Sequence, residues 1–426
     1  LRLRHPAVIG LASIAILWQA AAASAGPSLV FEAGSGRIIA GEGDSEPWHP
    51  ASLTKLMTAY VTFLAIKGGR VSLQSDITYS ARAANQPPSK IGLEPGSSLK
   101  LDLALEGMLV RSANDFAVAI AENIGGSVPR FVQMMNETAR RLGMTGTYFA
   151  NPHGLPDIRQ VTTARDLAIL TNTIIRDFPE HQHYFADPSV VVGTREFANR
   201  NNLLRQMKNA DGIKTGYICS SGYNLIASAS QDGRRLVAVV LGAANVNDRT
   251  AKAQSLLEQG FTTPASSTTV YRLKAGALSS AALPSDLTPQ VCNWKPAFEV
   301  SKPEDLQGWG VAFGRFGTPQ AATEMMNKWL LATRYVFYGG RGTILRVPYK
   351  GDYLVLVDDL NQTQTQSVCS YLRSNNAPCQ IMSPDVFVRL AEENREEVAQ
   401  GKGPNVKVEA AGGAANAPAQ GNGNEE

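Results

Sequence analysis

ASLTKLMTAY, residues 51–60, sets apolar side chains at Leu53, Leu56, Met57 and Tyr60, and the pattern continues through Val61 and Leu64. That is the spacing of a helix face that packs into a core. Ser52 and Lys55 stand three positions apart, so both project from the same side of such a helix. A helix start with a capping serine and a snorkelling lysine would account for the pair. The alternative is that the two side chains are there for chemistry. The rest of the chain decides between them.

Outward from this segment, residues 28–262 read as one α+β domain. SLVFEAGSGRIIAGEG (28–43) is a hairpin, two apolar runs around a Gly-Ser-Gly turn. Helical patterns follow at 51–66, 102–110 and 114–123, then in VPRFVQMMNETARRLGM and TARDLAILTNTIIRDF. DGIKTGYICS, GYNLIASAS and RRLVAVVLGA are strand-like runs separated by Gly and Asp-Gly, as in an antiparallel meander. RTAKAQSLLEQGF closes the domain with a helix. Strands at both ends with helices between predict a sheet assembled from the two ends of the domain. Residues 263–303, rich in Ser, Thr, Ala and Pro without sustained periodicity, read as a linker. Residues 304–387 read as a βαββαβ unit, and 390–426, rich in Gly, Ala, Asn and Glu, as a disordered tail.

The 426 residues are ordinary in composition, 44% hydrophobic and 18% charged with net charge +3, so nothing suggests a nucleic-acid partner. The first 25 residues differ. Two arginines, an apolar run and Ala23-Ser24-Ala25 predict a cleaved signal peptide with a mature start near Gly26. The expectation is a periplasmic or secreted, wall-associated protein with no membrane span after cleavage. Four cysteines, Cys219, Cys292, Cys369 and Cys379, lack C-x-x-C spacing, which argues against zinc. Cys369 and Cys379 either pair in an oxidising compartment or remain buried thiols.

S-x-x-K occurs at Ser52 to Lys55 and at Ser97 to Lys100; S-x-N occurs at Ser112 to Asn114 and at Ser374 to Asn376. Lys214-Thr215-Gly216 occurs once. Context separates the copies: PGSSLK reads as a turn and RSNNAP as a helix end in the distal unit. Ser52 opens a buried helix, VRSANDF joins two helices, and DGIKTGYI enters a strand. With LVRSANDFAVAIAE, NPHGL, TTARDLA, NRNNLL and SGYNLIASA in the same order, residues 28–262 resemble the serine penicillin-binding proteins. The likeness is greatest to the low-molecular-mass D-alanyl-D-alanine carboxypeptidases.

The resemblance implies a β-lactamase/transpeptidase-like fold, an antiparallel sheet flanked by helices with an all-helical subdomain. It also implies a chemistry. A serine hydroxyl is a poor nucleophile unless a base takes its proton. Lys55 can do so only when neutral, and an exposed lysine has a pKa of about 10.4. Bringing it toward neutrality takes ~3 units, roughly 4 kcal/mol, available from burial and a nearby like charge. The apolar segment supplies burial, and Lys214, placed across the cleft by the resemblance, supplies the charge. Ser112 would relay a proton to the leaving amine, and Asn114 would hold Lys55 and a substrate amide. Lys214 and Thr215 would receive the terminal carboxylate, with help from Arg200 and Arg249. Backbone N–H groups of Ser52 and Tyr217 would form the oxyanion hole, and Gly216 would leave room for a peptide added along the strand edge. The implied reaction removes terminal D-Ala from peptidoglycan stem peptides through an acyl-enzyme on Ser52. Penicillins acylate the same serine, and neither metal nor cofactor is needed. Two departures stand out: Ala113 where the family often has Gly, and Tyr217 after Lys-Thr-Gly.

Competing readings are a D,D-endopeptidase that cuts cross-links, a β-lactamase, and a wall-binding scaffold with a vestigial site. The absence of E-x-x-L-N argues against fast penicillin hydrolysis, and the absence of H-E-x-x-H and G-x-S-x-G excludes the usual zincin and α/β-hydrolase signatures. His181 and His183 read as surface residues, and His153 as part of a cleft wall. In the distal unit WGVAFGRFGTPQAATEMMNKW and CSYLRSNNAPCQI resemble the sporulation-related repeat (SPOR) domain. That resemblance implies binding to peptidoglycan glycan strands at the division-site wall. The plainer alternative is a ferredoxin-like unit that stabilises or dimerises the enzyme.

Overall fold

The computed structural model describes residues 26–157, 159–274, 284–292, 298–333, 340–374 and 377–401. The expected signal peptide at 1–25 and the tail from 402 lie outside the described residues. The first sheet has the order β2-β1-β9-β8-β7. It combines the hairpin β1 (Ser28–Glu32) and β2 (Ile38–Glu42) with the meander β7 (Ala210–Ile218), β8 (Gly222–Gln231) and β9 (Arg234–Ala243). Strand β1 joins them by lying antiparallel to β9, Val30 opposite Ala238. The sheet is thus closed by strands from both ends of the segment.

Its two faces alternate along each strand. Leu29, Phe31, Ile226, Val237, Val239 and Leu241 face the larger core. That core contains α1 (Lys55–Lys67), α2 (Leu101–Val110), α3 (Asn114–Gly125), α4 (Val128–Arg141) and α5 (Ala164–Asp177). Val30, Leu225, Ala227, Leu236, Ala238 and Val240 face α6 (Val246–Thr262) through Ala253 and Leu257. Helix α1 is buried on nearly every side rather than along one stripe, as a central helix must be. Two short strand pairs escaped the sequence pattern: β3 (Asp76–Thr78) with β4 (Ser98–Lys100), and the hairpin β5 (Ser189–Val192) with β6 (Arg195–Ala198). At three or four residues per strand, they carry too little alternation to register.

The second sheet has the order β10-β12-β13-β11-β14. Its strands are β10 (Phe298–Ser301), β11 (Trp309–Phe316), β12 (Arg341–Arg346), β13 (Tyr353–Leu360) and β14 (Gln380–Met382). Helices α7 (Pro319–Thr333) and α8 (Gln362–Ser374) pack on one face, with Met326, Val368 and Leu372 against Val311, Phe313, Val355 and Val357. Helix α9 (Pro384–Ala399) seals the other face, with Phe387 and Leu390 on Ala312, Leu345, Leu354, Leu356 and Met382. Arg346 pairs with the buried Glu397 at 3.2 Å.

Two expectations need correction. The tail is not disordered from residue 390: α9 continues to Ala399, because its apolar residues have a sheet face to cover. The described residues of 263–303, which are 263–274, 284–292 and 298–303, are anchored rather than free. Ser266 N–H and Val270 N–H donate to Ile38 and Gly36, Cys292 is disulfide-bonded to Cys219, and β10 pairs parallel with β12. These are single anchor points, which leave no periodicity to read. The two disulfides are Cys219–Cys292 and Cys369–Cys379, with Cα atoms 5.7 and 5.4 Å apart. Among the described residues, no helix is long and apolar enough to cross a membrane.

Candidate active site

Ser52 lies in a single 3-10 turn, Ala51–Thr54, that leads into α1. No side-chain cap bond is made at the start of either the turn or the helix, so the capping reading of Ser52 fails. Instead Lys55 Nζ lies 2.8 Å from Ser52 Oγ. The same nitrogen donates to Asn114 Oδ1 and to the His153 carbonyl, each at 2.8 Å. Asn114 Nδ2 donates to Pro87 O at 3.0 Å, which fixes the amide with its oxygen toward the lysine. A neutral amine has two N–H groups and one lone pair. Two pure acceptors take both N–H groups, so the lone pair is left facing the Ser52 hydroxyl. Lys55 is fully buried, and its pKa is held well below the ordinary lysine value by burial first and the Lys214 charge second.

The S-x-N segment joins α2 to α3. Ser112 takes a left-handed conformation, φ +66°, uncommon for a serine, which turns the chain between the helices. Lys214 Nζ on β7 donates to Ser112 Oγ at 2.9 Å and to Thr215 O at 3.0 Å. Its pKa is pushed down to about 7 by burial and then by the charges of Arg249 and Arg200. Ser52, Lys55 and Asn114 therefore form one hydrogen-bonded set and Ser112 and Lys214 a second, coupled by the charge of Lys214 on Lys55, with Arg200 and Arg249 close enough to act on Lys214 electrostatically. Thr215 is buried beside Lys214, and Tyr217 is 40% exposed further along β7.

Gly216 has a structural reason of its own. A Cβ there would lie 3.0 Å from Pro50 O and 3.1 Å from the Ser52 and Leu53 nitrogens. The glycine admits the turn that carries Ser52.

Three contributors lie within the stretches NPHGL and VRSANDF but have no part in the expected chemistry. His153 acts through its backbone: its carbonyl takes a Lys55 N–H, and its buried ring accepts from Leu155 N–H at 3.1 Å. Gly154, φ +91°, lies where a Cβ would come within 1.8 Å of Ala51 O, so only glycine lets this turn press on the nucleophile segment. Asp115 accepts from Tyr79 OH, Ile91 N–H and Gly92 N–H at 2.8–3.0 Å, pinning the loop whose Ser89 carbonyl takes the Asn114 N–H. An acid in the first turn of α3 was the available signal. His181 is not a surface residue as expected; it stacks on Phe63 at 4.3 Å in the core. No cluster of three metal-ligating side chains occurs among the described residues.

A family model described as D-alanyl-D-alanine carboxypeptidase matches residues 15–245, which include all of these site residues except Arg249. D-alanyl-D-alanine carboxypeptidase DacA of Haemophilus influenzae is 39% identical over 232 residues, 53% of this chain and 59% of that protein. The chain spans about three fifths of the length of the curated relatives it matches. Among solved structures, penicillin binding protein 5 from Haemophilus influenzae is 36% identical with a TM-score of 0.55, covering 56% of this chain and 71% of that one. Penicillin-Binding Protein D2 from Listeria monocytogenes, in its cefotaxime-bound form, is 28% identical with a TM-score of 0.51, over 56% of this chain and 97% of that one.

Proposed function

The chain belongs to the D-alanyl-D-alanine carboxypeptidase family, and from that premise we propose that it removes terminal D-alanine from peptidoglycan stem peptides through an acyl-enzyme on Ser52. The observation that carries this reading is the placement of Lys55 Nζ 2.8 Å from Ser52 Oγ, Asn114 Oδ1 and the His153 carbonyl, so that a neutral Lys55, its two N–H groups on the two pure acceptors, turns its lone pair to Ser52. Lys55 takes the hydroxyl proton as Ser52 Oγ attacks the scissile carbonyl. Ser52 and Tyr217 N–H groups hold the oxyanion. Ser112, bonded to Lys214, passes a proton to the departing amine, and D-alanine leaves. Water then attacks the ester and frees Ser52. Lys214, Thr215, Arg249 and Arg200 take the terminal carboxylate.

A β-lactam mimics the same acyl donor, and the cefotaxime-bound Listeria relative supports trapping of this serine. Fluorescent penicillin is expected to label the wild-type chain and to leave Ser52→Ala unlabelled, with D-alanine release from a pentapeptide lost in parallel. Equal labelling of the two would remove Ser52 from its role.

We also propose that residues 304–399 are a ferredoxin-like, SPOR-like unit that binds glycan strands and holds the enzyme on the division-site wall. Its support is the βαββαβ order of β11, α7, β12, β13, α8 and β14, with strands ordered β12-β13-β11-β14. Two disulfides support an oxidising, periplasmic location after export. The full chain should co-sediment with glycan stripped of stem peptides, and a chain ending at residue 297 should not. A full chain that stays in the supernatant would end this part of the reading.

A further inference from the structure

We propose that the Cys219–Cys292 disulfide makes residues 284–292 a wall of the peptide groove, and that with Tyr217 this wall selects the residue that precedes the D-alanyl-D-alanine pair. The inference rests on the reading of Ser52 as an acylating serine and adds to it a determinant of substrate choice.

The direction of the groove follows from the order of groups along β7. The terminal carboxylate docks at Lys214 and Thr215, and the scissile carbonyl sits at the Tyr217 N–H. A peptide added to this edge strand therefore carries its acyl side onward, past Tyr217 toward Ile218 and Cys219. Residues 284–292 are seated at that end. Leu287 N–H donates to Ser220 O at 3.0 Å. Asp286 Oδ1 accepts from the Thr288 backbone and hydroxyl at 2.9 and 2.6 Å, closing a single helical turn, Thr288–Val291. Leu287 also lies against the β7–β8 turn, where a Cβ on Gly222 would meet it at 2.9 Å.

Tyr217 connects this wall to the site. Its phenol oxygen is 3.1 Å from Cys292 Sγ and 3.8 Å from Cys219 Sγ. Its ring stacks on the cross-strand Tyr223 at 4.3 Å, and the Arg249 guanidinium lies 5.8 Å above the Tyr223 ring. The exposed side of this assembly is an aromatic face continued by a disulfide. Such a surface suits a long aliphatic side chain lying flat, as a diamino acid would present, and offers nothing to a methyl group. The disulfide matters because a 40%-exposed tyrosine without it would sample other rotamers.

The test uses the full chain and two peptides ending in D-alanyl-D-alanine, one preceded by N-acylated lysine and one by alanine. The wild type should favour the lysine peptide in kcat/KM by about ten-fold, the worth of roughly two buried methylenes. Cys292→Ser should bring that ratio below about two by raising KM for the lysine peptide, leaving kcat and the alanine peptide unchanged. Tyr217→Ala, which keeps the disulfide, should bring the same loss of preference and stands in if Cys292→Ser fails to fold. An unaltered ratio in folded Cys292→Ser with its lone thiol titratable, or in Tyr217→Ala, overturns the proposal. So does a wild type that turns over both peptides equally. Turnover of neither peptide, with no penicillin labelling, would instead overturn the acylating-serine reading on which the proposal stands.

Discussion

Lys55→Arg is expected to slow acylation by penicillin about a thousand-fold while leaving the protein folded. Arginine keeps a long basic side chain and the capacity to donate to Asn114 Oδ1 and His153 O, the two acceptors that hold Lys55 at 2.8 Å. It cannot do the third thing. A guanidinium stays protonated at any working pH and has no lone pair to receive the Ser52 proton. The wild-type lysine can, because burial and the Lys214 charge both disfavour its ammonium form. Stopped-flow acylation with a chromogenic cephalosporin, alongside a thermal melt, separates lost chemistry from lost structure. A folded Lys55→Arg protein that acylates at the wild-type rate would show that Lys55 is not the base.

Asn114→Asp should produce the second large effect, and its sign is fixed by electrostatics. A carboxylate in place of Asn114 Oδ1, 2.8 Å from Lys55 Nζ, stabilises the ammonium and raises the lysine pKa. Acylation needs the neutral amine, so below that pKa the rate climbs about ten-fold per pH unit and levels off above it. In the wild type the depressed pKa of Lys55 puts this climb well below the range of an ordinary lysine. In the variant it moves upward. Where the wild type has levelled off and the variant is still climbing, the variant should be slower by about ten-fold for each pH unit that the climb has moved, and the gap should close as the pH rises. A pH–rate profile for acylation reads this directly. An acid limb that stays in place, or moves down, would mean that the asparagine does not control the protonation of Lys55.

Much of this site was legible because its chemistry imposes residue types. A lysine within a segment as apolar as 51–66 is costly unless something uses it, and the strand Lys214-Thr215-Gly216 opens a meander whose alternation is plain. Other parts were not legible because they depend on backbone or on distance. The carbonyl of His153 would serve equally well from almost any residue. Gly154 is identifiable only once the turn is seen to press on Ala51. Cys219 and Cys292 are 73 residues apart, and their pairing depends on a turn whose anchors, Asp286 and Leu287, follow no period. The fold shows the same division: long elements announced themselves, while the strand pairs β3–β4 and β5–β6 and the strand β10 are formed by neighbours rather than by their own composition.

Helix α9 has a practical consequence for anyone preparing the distal unit. A gene fragment stopped at residue 387, where the sequence pattern invites a cut, would sever this helix between Phe387 and Leu390, the two side chains that cover the sheet. Leu345, Leu354, Leu356 and Met382 would then be wetted, and such material is expected to clump on concentration. Extending the fragment through Ala399 keeps that oily surface under its own roof.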